Sequence, residues 1–295
     1  MDMDHPAVDV LLGDWPEHEL LDSGGRRKLE RFGPCRLVRP EPKAWWRPTR
    51  PAAEWDRADA VYEESGRWRV RSGAAREWTL AYGRLVFQAR LADGSKHVGV
   101  FPEQAPHWAW IQDRGGRARG RSAPALLNLF GYTGAASLVA AAAGFEVTHV
   151  DASRPAVAWA RRNQTLSGLE AAPMRWLVED AVRYVRREAR RGRRYDVILL
   201  DPPSFGRGPS GQVWKAEDDL AELLGICRDL LSPRPLGVVL TLYNLEASSL
   251  MAANLLAEAT RGLGGRVCAG ELALRPTTGE SVLPLSLYAR WEGPA

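Results

Sequence analysis

Lysine is nearly missing from this 295-residue chain. Of 40 basic residues only Lys28, Lys43, Lys96 and Lys215 are lysines, and the other 36 are arginines. Abundant arginine and alanine fit codon usage in a G+C-rich genome as well as a polyanionic partner, so the net charge of +4 is only a mild lean toward nucleic acid. Cysteine is scarce too: Cys35, Cys227 and Cys268 are odd in number and far apart. They fit neither a disulfide frame nor a zinc site, no metal is expected, and they suit a reducing cytoplasm. No apolar run approaches a membrane span, so no membrane partner is expected. The opening Met1-Asp2-Met3-Asp4-His5-Pro6 has neither the basic region nor the apolar core of a secretory signal. A Walker loop is absent, which argues against nucleoside triphosphate hydrolysis, and there is no internal repeat.

With 45% apolar and 26% charged residues the chain reads as soluble and globular, in two regions. Residues 1–120 are rich in Trp, Pro, Arg and Gly and read as an irregular leader with a small β-rich substrate-binding module. The stretches 67–71 and 78–82 alternate with period two, 85–89 and 98–101 are strand-like, and Asp93-Gly94 signals a hairpin turn. Trp45-Trp46, set between prolines, reads as a packing anchor, with base stacking as the alternative. The basic, glycine-rich run Arg114 to Arg121 reads as a linker. Residues 121–295 alternate strand and helix. Strands are expected at 125–130, 146–150, 175–178, up to 201, 236–242 and 283–291. Helices are expected at 135–143, 155–166, 181–191, 218–231 and 247–263. Such alternation predicts a parallel, doubly wound α/β sheet.

The apolar run from Tyr195 to Leu200 stops at Asp201-Pro202-Pro203-Ser204-Phe205. Prolines cannot continue a ladder, so Asp201 is held at a strand's carboxyl end, the edge where ligands of open α/β sheets bind. A carboxylate, proline carbonyls and a flat Phe205 suit a planar hydrogen-bond donor such as a nucleobase; an ordinary strand–turn is the alternative. Upstream, a strand runs into Asn128-Leu129-Phe130-Gly131-Tyr132-Thr133-Gly134, with two glycines where the dinucleotide fingerprint has three. Asp151 ends the second strand, where an acid can accept from both ribose hydroxyls, and Asp180 ends the third, within reach of an adenine amino group. Each of Asn128, Asp151, Asp180 and Asp201 could instead be a helix N-cap, but four in succession are expected to line one crevice. A nicotinamide oxidoreductase would need the third glycine and a catalytic His or Tyr–Lys pair, and neither is found. Arg183, Arg186, Arg187, Arg190 and Arg191 fall on one helix face, either as a phosphate-binding stripe or as a solvated face with Glu188 as counterion. The glycine-rich 206–211 loop, followed by Trp214 and Lys215, reads as a lid or a plain surface loop.

With 128–134, Val150-Asp151-Ala152-Ser153, Ala160-Arg161-Arg162-Asn163 and 201–205 in hand, the chain resembles the class I S-adenosylmethionine (SAM)-dependent methyltransferases. It is most similar to the branch that modifies cytosine carbon-5 or guanine nitrogen-7 of large-subunit ribosomal RNA. The resemblance covers residues 96–245, and the Lys96 to Gln104 segment looks like the one that precedes that branch's cofactor domain. It implies a Rossmann-like, seven-stranded sheet whose last strand is antiparallel, with SAM as cofactor and RNA as partner. It also implies that Asn128, Phe130, Gly131, Tyr132, Thr133 and Gly134 cradle the methionine part. Asp151 and Ser153 would serve the ribose, and Asp180 and Asn163 the adenine. Asp201, Pro202, Pro203 and Phe205 would face the methyl group as the catalytic set, with Asp201 also near the cofactor. Lys96, Phe101, Gln104, Ser204 and Lys215 would meet the substrate. One departure matters: residues 240–246 hold no cysteine, where carbon-5 chemistry needs a nucleophile. The expectation is therefore direct transfer to a nitrogen or oxygen of a ribosomal RNA base. Methylation of a small molecule or protein, or a non-catalytic SAM- or RNA-binding module, are the alternatives.

Overall fold

The computed structural model describes residues 8–117, 123–207, 211, 213–243 and 245–294. The chain divides into two compact units. One is Leu12–Pro106 with Leu272–Leu285; the other is the chain up to Leu11, His107–Glu271 and everything from Ser286 onward. The composition shift near residue 120 thus does not mark the division, which falls between Pro106 and His107. The reason is a helix that composition hides. Helix α2 (Ala105–Arg117) covers the first half of the expected linker, and the rest of that run, 118–121, lies outside the described residues. Gly115 weakens the helix signal, yet a Cβ there would lie 2.5 Å from the Ala143 carbonyl oxygen, so close packing demands glycine. Trp108, Trp110 and Ile111 on this helix are buried.

In chain order the first part gives β1 (Val8–Leu12), β2 (His18–Gly24), β3 (Arg27–Phe32), β4 (Cys35–Pro40), α1 (Ala52–Trp55), β5 (Ala60–Tyr62), β6 (Trp68–Val70), β7 (Glu77–Tyr82) and β8 (Leu85–Arg90). Strands β2 to β6 form a five-stranded sheet in that order, and β7 and β8 form a separate hairpin. The leader expected to be irregular is therefore mostly strand. Its charged residues conceal this, because they are inside and paired with one another. Glu30 is fully buried and takes both Arg39 Nε and Nη2 at 2.8 Å, with His18 Nε2 at 3.1 Å and Lys28 Nζ at 3.6 Å. Burial opposes ionisation of Glu30, but Arg39 and Lys28 outweigh it and hold the carboxyl well below the usual range. Trp46 is the packing anchor of the Trp pair, its indole donating to Ser23 Oγ at 3.2 Å, whereas Trp45 is 78% exposed. No strand forms at 98–101, which leads instead into a 3₁₀ turn, Pro102–Gln104. The hairpin tip is Gly83-Arg84, between the paired Tyr82 and Leu85, and not Asp93-Gly94. Asp93 instead accepts the Trp68 N–H at 3.1 Å.

The second unit carries β9 (Ala125–Leu129), α3 (Ala135–Ala142), β10 (Glu146–Asp151), α4 (Arg154–Leu166), β11 (Met174–Val178), α5 (Ala181–Arg190), β12 (Val197–Leu200), β13 (Phe205–Arg207), β14 (Val213–Lys215), α6 (Ala216–Asp229), β15 (Gly237–Leu242) and α7 (Ser249–Ala259). Two long strands follow, β16 (Arg266–Leu274) and β17 (Leu283–Glu292). The large sheet has the order β1-β16-β17-β15-β12-β9-β10-β11. Strands β11, β10, β9, β12 and β15 run parallel, and β17 lies antiparallel against β15. Every residue of β12 and β15 is buried, as expected of strands covered on both faces. The sheet has eight strands where seven are expected. The extra one is β1, admitted at the edge because Gly270 has no side chain: a Cβ there would sit 1.8 Å from the Asp9 carbonyl oxygen. Among the described residues no helix is long and apolar enough to cross a membrane.

Candidate active site

The strand order reverses between β9 and β12, and ligands of wound sheets lie beyond the carboxyl ends at such a point. The 130–134 loop leaves β9 and the 201–205 segment leaves β12, so the two motifs meet there; Asp201 N–H approaches the Leu129 carbonyl at 3.4 Å.

The loop is held in an unusual shape. Phe130 and Tyr132 have φ of +57° and +50°, left-handed values that cost a non-glycine residue about 1–3 kcal/mol each. Their rings turn away to packing partners, Phe130 to Trp214 at 5.2 Å and Tyr132 to Trp159 at 6.2 Å between centroids. A Cβ on Gly131 would lie 2.4 Å from His149 Cε1, and one on Gly134 2.9 Å from Ala160 Cβ. The loop's main chain therefore rests directly on the layer below. Side chains lock it there. Asp151 Oδ2 accepts the Tyr132 N–H at 2.8 Å, and Asn163 Nδ2 donates to the Thr133 carbonyl at 3.0 Å. Beneath, Asn128 Nδ2 donates to Ser137 Oγ at 2.9 Å, and Ser137 Oγ is 3.0 Å from His149 Nδ1. Burial pushes the His149 imidazole down to about 3, so it is neutral at pH 7.

The four polar residues do not share one level. In the ladder Asn128 pairs with His149 and Leu199, so Asp151 and Asp201 both lie two residues further toward the edge. Asp180 lies two residues beyond Val178, the partner of Asp151. Asn128 is a strand residue inside the sheet, only 4% exposed, and Asn163 is fully buried. Both hold the loop from below, through Ser137 and the Thr133 carbonyl. Ser153 Oγ caps α4 by accepting the Ala156 N–H at 3.3 Å, which spends it on the helix. Asp180 is also an N-cap: Oδ1 accepts the Arg183 N–H at 2.8 Å, using one carboxylate oxygen. Asp151 is the best-placed acceptor. Its Oδ1 takes the Ser153 N–H at 2.8 Å. A carboxylate has about four acceptor positions, so two remain for a diol. Burial raises its pKa above 3.8, against the pull of the Ser153 and Tyr132 N–H groups.

On the β12 side Pro202 is buried, Pro203 exposed and Phe205 53% exposed. One expected acceptor is already taken: the Pro203 carbonyl receives the Trp214 indole N–H at 2.7 Å. Trp214, 5% exposed, thus ties the double-proline turn to Phe130 of the glycine loop. This positioning role went unread in the sequence, although the tryptophan stands out after the glycine-rich loop. Phe205 and Lys215 are cross-strand partners in the β13–β14 hairpin, and the Ser204 carbonyl accepts the Ala216 N–H at 3.0 Å. Lys215 Nζ lies 3.6 Å from Asp218. The start of the supposed lid is strand β13, while 208–210 lie outside the described residues. Lys96, Phe101 and Gln104 belong to the other unit, where Lys96 Nζ donates to the Pro40 carbonyl at 3.2 Å and burial lowers its pKa.

The arginine face of α5 is largely compensated. Glu179 takes Arg187 and lies 3.8 Å from Arg183, Glu188 takes Arg191 at 3.1 Å, and Glu222 takes Arg186. The solvated-face reading fits these pairs better than a phosphate stripe. Burial disfavours the thiolate at all three cysteines. It pushes Cys35 up to about 11 and raises Cys227 and Cys268 as well.

Residues 61–262 match the family model for S-adenosylmethionine-dependent methyltransferases. Over 121 residues the chain is 36% identical to ribosomal RNA large subunit methyltransferase K/L of Shewanella frigidimarina, covering 40% of this chain and 16% of that protein. Over 108 residues it is 36% identical to ribosomal RNA large subunit methyltransferase I of Aeromonas salmonicida, covering 36% of this chain and 24% of that protein. The match therefore spans at most about a quarter of these two relatives. A crystal structure of a SAM-dependent methyltransferase from Agrobacterium tumefaciens superposes with a TM-score of 0.93 at 47% identity, over 97% of this chain and 95% of that one.

Proposed function

The chain belongs to the S-adenosylmethionine-dependent methyltransferases, and from that premise we propose that it methylates a base of ribosomal RNA by direct transfer to a nitrogen or oxygen. The residues present fit the cofactor. The glycine loop has a floor that no Cβ could enter, and Asp151 has acceptor positions left at the strand end. SAM supplies a sulfonium methyl group, an electrophile with a good leaving group.

The chain's own residues do the rest. Asp151 accepts from the ribose hydroxyls, the second oxygen of Asp180 accepts from the adenine amine, and the 131–134 main chain lies along the methionine part. Asp201 orients the acceptor base, and it takes the proton when the attacking nitrogen or oxygen carries one. Phe205 stacks on the base, an interaction of about 1–3 kcal/mol in other single-strand platforms. Positioning and electrostatics are sufficient for such a displacement. The observation that carries this reading is Asp201 and the exposed Phe205 together at the strand reversal. The named rRNA methyltransferases among the relatives support ribosomal RNA as the substrate. The β-rich unit would then bind the RNA substrate. Mass spectrometry of ribosomal RNA nucleosides from cells with and without this gene tests the proposal. One methylated base should vanish on deletion; an unchanged nucleoside profile would overturn it.

A further inference from the structure

A cavity of about 380 Å³ opens on the five-stranded sheet of the β-rich unit. Its floor follows from register: Val38 pairs with Val61, and Val61 with Arg69, so one cross-strand row offers two branched apolar side chains and then a cation. Helix α1 supplies the wall with Trp55, 6% exposed and fixed by its indole N–H to Asp22 Oδ2 at 3.2 Å. Arg27, Arg50 and Arg69 line the same cavity, against a single acid, Asp56.

The three guanidiniums differ in their commitments. Arg50 is tied to Glu54 and donates to the Leu21 carbonyl at 2.8 Å, and so is structural. Arg69 is paired at 2.9 Å with Glu63, but both side chains are well exposed, at 68% and 43%, so water screens that pair. Arg27 lies over the Trp55 ring at 5.1 Å and has no carboxylate partner among the described residues. Arg27 without a carboxylate partner, and Arg69 whose pair is screened, stand beside an apolar floor, which suits a ligand that is anionic at one end and flat and apolar at the other. The volume falls at the small-ligand end of the range for binding pockets, enough for one nucleotide. The chain entering the cavity adds a further feature. Trp45 is 78% exposed, three residues before Pro48, which lines the cavity.

We propose that this cleft holds a phosphate and its neighbouring base from a single-stranded segment of the RNA substrate. Arg27 and Arg69 take the phosphate, the partly exposed Val61 meets the base above the buried Val38, and Trp45 offers a stacking surface to the adjoining strand. The inference rests on the RNA reading above. Phosphate contacts of this kind position a strand without reading its sequence, so the cleft would add affinity and not choose the methylated base.

The test is fluorescence anisotropy with a labelled single-stranded oligoribonucleotide of about 12 nucleotides. Arg27→Ala/Arg69→Ala should bind it about tenfold more weakly at low salt, with the salt slope reduced by about two. Val61→Phe, which fills the cavity without changing charge, should also weaken binding. Neither change should alter affinity for S-adenosylhomocysteine, which confirms folding of the other unit. Wild-type affinity and salt slope in the double variant would overturn the cleft, as would failure of the wild-type protein to hold the oligomer or preference for an acidic peptide. Loss of a ribosomal methyl group on gene deletion is read separately, so the cleft can fall while the rRNA reading stands.

Discussion

Replacing Asp151 by alanine tests the cofactor site most directly. Asp151 performs two tasks: it accepts the Tyr132 and Ser153 N–H groups, both at 2.8 Å, and it keeps acceptor positions for the ribose. Hydrogen bonds to a charged group contribute about 1.5–3 kcal/mol each. Two ribose contacts, discounted for non-additivity, set the expected loss near 3 kcal/mol, roughly 100-fold in dissociation constant. Titration calorimetry with SAM reads this, and circular dichroism establishes that the variant is folded. A folded variant whose affinity lies within about threefold of wild type would refute the ribose assignment. Its carboxylate would then serve only to hold the loop. pH gives an independent check on the same group. Burial raises its folded pKa above 3.8, so in the folded protein the protonated form persists to higher pH than in the unfolded chain. The stability contributed by that protonated form is full below the unfolded pKa and is lost as pH rises through the folded value. SAM needs the ionised form, so affinity should decline as pH falls through the raised value, sooner than an ordinary carboxylate would allow. Asp151→Asn should remove this pH dependence.

Asp201→Ala should leave SAM affinity by calorimetry unchanged and abolish methyl transfer; retained turnover would remove Asp201 from the chemistry. Replacing Cys35, Cys227 and Cys268 together by alanine should preserve transfer per folded molecule, at some cost in melting temperature from small cavities in the core. A folded but inactive triple variant would revive a covalent route. Gly134→Ala combines a φ of +82° with a Cβ 2.9 Å from that of Ala160. It should destabilise the protein by about 2–4 kcal/mol and weaken SAM binding, and an unshifted thermal melt would contradict the close approach.

The wound sheet was legible because β12 and β15 are buried on both faces and appear as plain apolar runs, while the earlier helices α4 and α5 start on Ser153 and Asp180 caps. The leader was not legible, because Lys28, Glu30, Arg39 and Glu41 are inside and neutralise one another, which erases the polar–apolar alternation that marks a strand. Helix α2 was hidden by Gly115, a residue chosen for contact with Ala143 and against helix propensity. At the site, residue types and approximate places were readable, but depth was not. Nothing local distinguishes Asn128, two residues inside the sheet, from Asp151 at its edge; only the pairing of strands does. The tie from Trp214 to Pro203 escaped for a similar reason, since it joins a hairpin to a turn across 11 positions.

Phe130 and Tyr132 leave a mark on the economy of the whole molecule. Two bulky residues wound the wrong way amount to tension stored before any ligand arrives, held by neighbours that outnumber them. Replacing either with glycine would let that tension go but would also take away the ring that packs on Trp214 or Trp159, so the loop would lose its set shape with no gain in melting temperature. In this fold, readiness for a ligand is kept by two rings whose packing outweighs the awkward backbone angles beneath them.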